Sequence, residues 1–360
     1  MPSPLHVGTE VCMTLHHLSR FMCAAALILL SMGSEAVAED FHFITIDVPN
    51  AQLTWVRGIN DRGQIVGTFI GANGPHGFIN TDGHIATIDA PNLAGEGNFR
   101  TVGTEAMGIN NAGTIVGTFD TRADAGEFAY GFVEKKGQFS LFSGGCCPVP
   151  NPVSINDNGT ILGNYFQVNR GNLNGFVQDV KGNRTTISVL GAFETSVSGF
   201  NARGDIVGQY RDLSGYHSFL DHAGNVTLLS VPGAQQTIAM DINDWGVIVG
   251  SFLDINNRSH GFLDIAGHFI TVDVPGSQST NITGINNLGL FIGGFTDANG
   301  HSHAFVDPPS EVPEPASLFL LASGLVGLII SRKDFIKYAR TYCSRTTNLN
   351  GVALIRRRRS

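Results

Sequence analysis

Charged side chains are scarce in this chain of 360 residues: Asp, Glu, Lys and Arg together make up 14% of it, where about 25% is usual. A helical bundle covers its surface with Lys and Glu, so the composition argues against one. Hydrophobic residues reach 42%, which is enough for a core and excludes wholesale disorder. Glycine is plentiful, at 45 residues, and with so few charges it favours many short strands joined by tight turns.

Cysteine is also scarce. Cys12 and Cys23 lie near the N-terminus and Cys343 near the C-terminus, which leaves only the adjacent Cys146 and Cys147 in the body of the chain. Two cysteines cannot make a disulfide framework. They could form a strained vicinal disulfide after export or pair between molecules, and we expect a structural or incidental role.

Basic residues are few in the body, and catalytic motifs are missing from it. Residues 39–311 carry 26 acidic and 12 basic residues, a net charge of −14, which excludes nucleic acid as a partner. No G-x-S-x-G, H-E-x-x-H or P-loop is present, so neither an enzyme nor a cofactor is predicted. Carboxylates are plentiful, which leaves paired acids for glycoside hydrolysis open, although no pair departs from the repeat pattern described below.

The N-terminus has the pattern of a secretory signal. Arg20 precedes the apolar run of residues 21–32, and small residues lead to Ala36-Val37-Ala38. This order predicts a cleavable signal peptide over residues 1–38, with Met13 or Met22 as alternative starts. A buried N-terminal helix fits poorly with the abrupt change to strand-like sequence at Phe41.

The C-terminus has the pattern of a second targeting signal. Pro313-Glu314-Pro315 is followed by an apolar run and then by Arg332-Lys333. The run predicts a short transmembrane helix over residues 317–331, with its basic end on the cytoplasmic side of the membrane.

These three parts, in this order, resemble the PEP-CTERM sorting signal of Gram-negative bacteria, which covers residues 312–333 here. The resemblance implies that an exosortase is a partner and recognises Pro313, Glu314 and Pro315. It also implies export to the cell surface or extracellular matrix, anchoring in the inner membrane before processing, and an association with exopolysaccharide. Unlike family members, the chain continues for residues 334–360. That extension is a basic, disordered tail, or a read-through or frameshift artefact.

Six internal repeats fill residues 39–311. Each contains an apolar residue, Asn, two variable residues and Gly, followed by one variable residue, two apolar residues and a second Gly. The first Asn and Gly of the copies are Asn60 and Gly63, Asn110 and Gly113, Asn156 and Gly159, Asn201 and Gly204, Asn243 and Gly246, and Asn286 and Gly289.

The N-x-x-G motif predicts a hairpin turn. Asn and Gly are favoured at the first and fourth places of a type I turn, and the Asn side chain can bond the turn backbone. Each repeat then offers four strands: strand a, as in residues 43–49; strand b, up to the turn; strand c, after it; and strand d, which contains a recurring Phe followed by an aliphatic residue. The predicted fold is all-β, with six sheets of four short strands in the order b-c-d-a.

The first strand, at residues 43–47, is expected to complete the sixth sheet by pairing with the strand around Phe305. That closure removes free edges and predicts a six-bladed β-propeller. A β-solenoid or an open array of hairpins is the alternative.

Histidine precedes the Phe of strand d in four copies, at His76, His217, His260 and His303. The intact tripeptide His303-Ala304-Phe305 and its variants resemble HAF repeats, which implies an extracellular repeat protein and assigns no activity. A recurring residue is more simply part of the hydrogen bonding of its own blade than a zinc ligand or catalytic base. Calcium binding by Asp61, Asp157 and Asp244 is a weaker alternative, since no calcium-loop motif is present.

The main hypothesis is an exported, non-enzymatic repeat protein that acts at the cell surface or in an exopolysaccharide matrix. The alternatives are a propeller enzyme that acts on polysaccharide through acids near the axis, and a lectin. The lectin is favoured if Trp55 and Trp245 line one face. Trp245 occupies a turn and is expected to be exposed, whereas Trp55 is expected in the core.

Overall fold

The computed structural model describes residues 41–92, 100–123, 126–142, 150–166 and 172–307. The side chains of residues 123–128 are not described. The predicted signal peptide, Cys146 and Cys147, the sorting signal with its helix, and the basic tail lie outside these residues. Within the described part, no helix is long and apolar enough to cross a membrane.

The described residues form six four-stranded antiparallel sheets. The first three are blade 1, with β2 (Leu53–Ile59), β3 (Ile65–Gly71), β4 (Gly74–Thr81) and β5 (His84–Ile88); blade 2, with β6 (Arg100–Ile109), β7 (Ile115–Ala123), β8 (Gly126–Lys135) and β9 (Gln138–Phe142); and blade 3, with β10 (Asn151–Ile155), β11 (Ile161–Phe166), β12 (Leu173–Gln178) and β13 (Arg184–Ile187).

Blades 4 to 6 repeat the pattern. They are blade 4, with β14 (Glu194–Phe200), β15 (Ile206–Asp212), β16 (Gly215–His222) and β17 (Asn225–Leu229); blade 5, with β18 (Gln236–Ile242), β19 (Ile248–Leu253), β20 (Ser259–Ile265) and β21 (His268–Val272); and blade 6, with β22 (Ser279–Ile285), β23 (Phe291–Thr296), β24 (Ser302–Asp307) and β1 (Ile44–Thr45).

The ring closes in blade 6. The first strand, β1, pairs with the last, β24, through Ile44 opposite Val306 and Thr45 opposite Phe305. Contacts between β2 and the strands of blade 6 complete the circle. The structure therefore confirms the six-bladed β-propeller, with strands in the order b-c-d-a, and excludes the open array.

The hydrophobic core lies between neighbouring blades. In blade 1, Val66 of β3 is fully buried and packs with Ala106, Ile109 and Phe119 of blade 2. The Phe of every d strand has at most 1% of its surface exposed to solvent: Phe78, Phe132, Phe176, Phe219, Phe262 and Phe305. Both faces of the c strands are covered, which explains why they are apolar without alternation.

The second Gly of each repeat is required by a close backbone approach. A Cβ atom on Gly67 would lie 2.0 Å from the carbonyl oxygen of Trp55 on the paired strand and 2.9 Å from the ring of Phe78. The equivalent Gly250 is as tightly enclosed. A side chain at this position would push strand b and the Phe of strand d away from strand c. The fixed place of the second Gly in each repeat therefore follows from packing inside a blade.

Candidate functional site

The turn between strands b and c has the same geometry in each blade. In blade 1, the amide of Gly63 donates to the carbonyl of Asn60 at 3.0 Å, and φ of Gly63 is 73°. The side-chain oxygen of Asn60 accepts hydrogen bonds from the amides of Arg62 and Gln64, each at 3.0 Å. The Asn thus binds its own turn backbone and leaves its amide nitrogen for another partner.

That partner is the next blade. Asn60 Nδ2 donates to the carbonyl of Asn110 at 3.0 Å, and the same bond runs around the axis at five of the six blade junctions. The other four join Asn110 to Asn156, Asn201 to Asn243, Asn243 to Asn286, and Asn286 to Asn60, at 2.9–3.2 Å. We call this set the asparagine ring.

A second ring uses the residue after each Asn. The amide of Asn111 donates to Asp157 Oδ1 at 2.7 Å, and the amide of Asn287 donates to Asp61 Oδ1 at 2.8 Å. Asp61 Oδ2 also accepts hydrogen bonds from the side chains of Asn111 and Asn287. Asp244 accepts from the amide of Ala202. These three carboxylates are therefore hydrogen-bond acceptors that join blades.

Both rings are interrupted between blades 3 and 4. Ala202 stands where the other blades have Asp or Asn, so it offers no side-chain acceptor to blade 3. Among the described residues no hydrogen bond joins Asn156 to Asn201. A different pair holds this junction: Asn164 Nδ2 donates to the carbonyl of Val197 at 2.9 Å, and the amide of Val197 donates to Asn164 Oδ1 at 2.8 Å.

The rings surround the mouth of a narrow channel on the axis, with a cavity volume of about 130 Å³. Each strand b is irregular two residues before its last residue, which is Ile in five blades and Phe200 in blade 4. The residues at these irregularities line the channel below the rings: Arg57, Met107, Val153, Ser198, Met240 and Thr283. Arg57 Nε has no hydrogen-bond partner among the described residues.

Asp241 is a carboxylate that the repeat pattern does not account for. Its place is taken by Gly58, Gly108, Gly199 and Gly284 in four blades and by Ser154 in blade 3. Asp241 Oδ1 accepts a hydrogen bond from the backbone amide of Ile242. Asp241 Oδ2 accepts one from the backbone amide of Ile285 in blade 6 at 3.0 Å. Burial raises the pKa of Asp241 to about 7, against the opposing effect of these two amides. The difference between D-I-N and G-I-N was visible in the sequence and was missed.

The two tryptophans lie apart. Trp245 is 77% exposed in the turn of blade 5, and its Nε1 donates to the carbonyl of Asn287 at 2.9 Å. Trp55 is 40% exposed in the middle of β2. Its expected place in the core was wrong, because Thr54 and Val56 take the buried face of the strand and alternation puts Trp55 on the other.

The repeated histidines pair with carboxylates and aromatic rings within their own blades. His76, His260 and His303 place Nδ1 within 3.0 Å of the strand-a residues Asp89, Asp273 and Asp47, respectively. Each ring also lies against a strand-c phenylalanine at a centroid distance of 5.1–5.2 Å. The hydrogen bond to Asp47 is the main cause of a raised pKa at His303.

Blade 4 has a variant of this arrangement. Ser230 replaces the strand-a Asp, and Nε2 of His217 contacts Asp212 and Ser214 instead. Hydrogen bonds from Ser214 are the main reason that the pKa of Asp212 falls to about 2. Among the residues that the structure describes, no three His, Cys, Asp or Glu side chains are grouped so that they could hold a metal ion.

Residues 311–333 match the model of the PEP-CTERM protein-sorting motif. This motif marks an exported protein that an exosortase sorts. No curated protein matches the chain.

Solved propellers resemble the chain only distantly. A mutant of the Aleuria aurantia lectin AAL in complex with Fucα1-6GlcNAc has a TM-score of 0.46 at 11% identity, covering 74% of this chain and 94% of its own. TolB from Acinetobacter baumannii has a TM-score of 0.45 at 12% identity, covering 68% and 64%. Trypanosoma rangeli sialidase has a TM-score of 0.40 at 10% identity, covering 76% and 56%. These values carry no argument about what this chain binds.

Proposed function

We propose that the protein is a non-enzymatic binding propeller that is exported, held at the cell surface or in an exopolysaccharide matrix, and acts through the surface around its axis. Residues 1–38 direct export, the propeller of residues 39–311 is presented outside the cell, and residues 312–333 supply the exosortase signal with a transmembrane helix at 317–331. The tail of residues 334–360 is basic and lies on the cytoplasmic side.

The observation that carries the binding role is the exposed indole of Trp245 beside a polar rim. Its hydrogen bond to Asn287 fixes the ring on a surface that also carries Asp61, Asp157 and Asp244. A fixed aromatic face with hydrogen-bonding groups around it suits a sugar ring, which has an apolar face and hydroxyl edges.

The same carboxylates give little support to an enzyme. All three accept hydrogen bonds from the backbone of a neighbouring blade, and the channel that they surround has a cavity volume of about 130 Å³, below the roughly 300–1,000 Å³ of ligand pockets. We therefore place recognition on the rim of the channel rather than inside it.

Binding is tested with the full chain and the exopolysaccharide of the producing bacterium, in a sedimentation assay. Trp245→Ala should weaken binding about tenfold, and Trp245→Phe should weaken it less because a ring remains. Ile255→Ala is the matched control, because Ile255 is equally exposed in a c–d turn of the same blade. Equal binding by wild type and Trp245→Ala would contradict the axial surface as the binding site. No binding by wild type would contradict polysaccharide as the ligand.

Export is tested separately by mass spectrometry of the mature protein. We expect an N-terminus at Glu39 and a C-terminus within or before the sorting signal. A full-length chain that is found in the cytoplasm contradicts the proposed localisation, whatever the chain binds.

A further inference from the structure

Blade 3 lacks a cluster that four other blades contain. In blades 1, 4, 5 and 6, the aromatic residue of strand c faces a histidine on strand d, and in blade 2 Phe119 faces Tyr130 instead. In blade 3, Tyr165 of strand c is paired with Asn174. The flat ring that covers the strand-c aromatic elsewhere is therefore replaced by a short amide.

The partner of that histidine is also replaced. Asp47, Asp89 and Asp273 bind the histidine rings from strand a, and the residue at this place in blade 3 is Ser188. Blade 3 thus lacks both the imidazole and the carboxylate.

The aromatic residue itself keeps its position. The ring of Tyr165 lies 6.2 Å from Phe176, and the equivalent pairs Tyr210–Phe219 and Phe295–Phe305 are 6.3 Å apart. Its hydroxyl lies 2.9 Å from the hydroxyl of Thr186. Tyr165 is consequently held in place by the buried ring of Phe176 on the core side and by the exposed hydroxyl of Thr186.

The result is a cavity of about 410 Å³ at the boundary between blades 3 and 4, a size typical of small-molecule sites. Hydroxyls and amides line it at Asn172, Asn174, Thr186 and Ser188, and Phe193 supplies an exposed aromatic ring at 47% exposure. Among the lining residues that the structure describes, no side chain carries a charge. The cavity therefore combines aromatic surface with neutral donors and acceptors.

We infer that this blade 3 cavity binds a neutral sugar, with an apolar face of the pyranose against Tyr165 or Phe193 and its hydroxyls on the Asn, Thr and Ser side chains. An anionic sugar finds no cationic group among the described lining residues, and an apolar ligand would bury the Asn172 side chain and the hydroxyls without giving them hydrogen-bond partners. The inference concerns a surface other than the axial rim, and it stands or falls independently of Trp245.

The test is to rebuild the missing cluster. The double variant Asn174→His, Ser188→Asp restores the pair that blades 1, 5 and 6 contain, so it fills the cavity with an arrangement that this fold already accepts. Tyr165→Ala removes the aromatic surface. The control is Val180→Ala, an exposed site in the β12–β13 connection of the same blade. Circular dichroism verifies that each variant is folded.

The probes are the methyl glycosides of glucose, galactose and mannose, with glucuronic acid as the charged comparison. They are added to the full chain in a detergent without a sugar headgroup, and binding is followed by saturation-transfer NMR. At least one neutral glycoside should bind to wild type and to Val180→Ala alike. Binding should fall at least about tenfold in the double variant and in Tyr165→Ala.

Three outcomes overturn the inference: no neutral glycoside binds, glucuronic acid binds more tightly than all of them, or the folded double variant binds as well as wild type. Loss of binding in Trp245→Ala with full binding in the double variant assigns the sugar to the axial rim instead.

Discussion

Asp47 and His303 are 256 residues apart in the sequence, and Oδ2 of the first lies 2.6 Å from Nδ1 of the second. Oδ1 of Asp47 also accepts the amide of Ala304 at 2.9 Å. The strand that Asp47 follows is only two residues long. One side chain thus provides two of the contacts that close the propeller.

Asp47→Asn should loosen this closure. It removes the charge from a hydrogen bond to histidine, and bonds of that kind contribute about 1.5–3 kcal/mol. Amide exchange in β1 and β24 should accelerate more than in any other strand, as measured by hydrogen–deuterium exchange with mass spectrometry. Asp89→Asn is the control, because His76 and Asp89 form the same pair in blade 1, where a two-residue turn joins the strands covalently. Equal acceleration at the two sites would contradict the special role of Asp47.

Loss of the asparagine ring should cost more stability than loss of the turn alone. Asn286→Ala removes two turn hydrogen bonds and the one to Asn60. Asn156→Ala removes one turn hydrogen bond, which the amide of Thr160 donates, and removes no hydrogen bond to the next blade. At about 1 kcal/mol for each bond, Asn286→Ala should lower the free energy of unfolding by about 2 kcal/mol more. Urea denaturation measures the difference, and a difference of only about 1 kcal/mol, which the extra turn bond of Asn286 explains by itself, would mean that the ring contributes nothing.

Filling the gap in the second ring should stabilise the protein. Ala202→Asn supplies the acceptor that Asp157 of blade 3 lacks, without adding a negative charge beside Asp244. We expect a gain of about 0.5–1 kcal/mol, seen as a higher melting temperature. Ala112→Asn, in the next turn position of blade 2, is the control and should be neutral. A lower melting temperature for Ala202→Asn would show that the turn of blade 4 lies too far from blade 3.

Asp241 should make stability depend on pH. Its pKa is about 7 in the folded chain and about 3.9 when unfolded, so the folded state binds the proton more tightly. Its contribution is fully present below about pH 4 and is lost as the pH rises to about 7. Asp241→Ser, which copies Ser154 of blade 3, should remove this dependence. The melting temperature of wild type relative to Asp241→Ser should fall between pH 4.5 and 7.5, and parallel curves would contradict the assignment.

The repeats made most of the fold predictable. Asn60 and its five equivalents mark the b–c turns, and the spacing of the second Gly follows from packing that is local to one blade. The number of blades and the closing strand could therefore be obtained from the sequence. The bonds from one Asn to the next blade could not, because they depend on how six sheets are arranged around an axis.

The exceptions to the repeats were harder to interpret. Asn174, Ser188 and Asp241 each differ visibly from their equivalents. A cavity, however, depends on what neighbouring side chains leave empty, and the pKa of a carboxylate depends on what encloses it. Neither property belongs to a single position of a repeat. Trp55 was misplaced for a related reason, since a strand pattern does not indicate which of its faces meets the next blade.

The position of β24 determines how the propeller would respond to a pull. This strand lies between β23 and β1. Its C-terminal end at Asp307 therefore belongs to a strand with a neighbour on each side and not to an edge strand of blade 6. A force applied along it must shear two rows of backbone hydrogen bonds at once, whereas an edge strand would peel away one bond at a time. An anchor on that side of the molecule therefore pulls on a strand that is hydrogen-bonded along both of its edges.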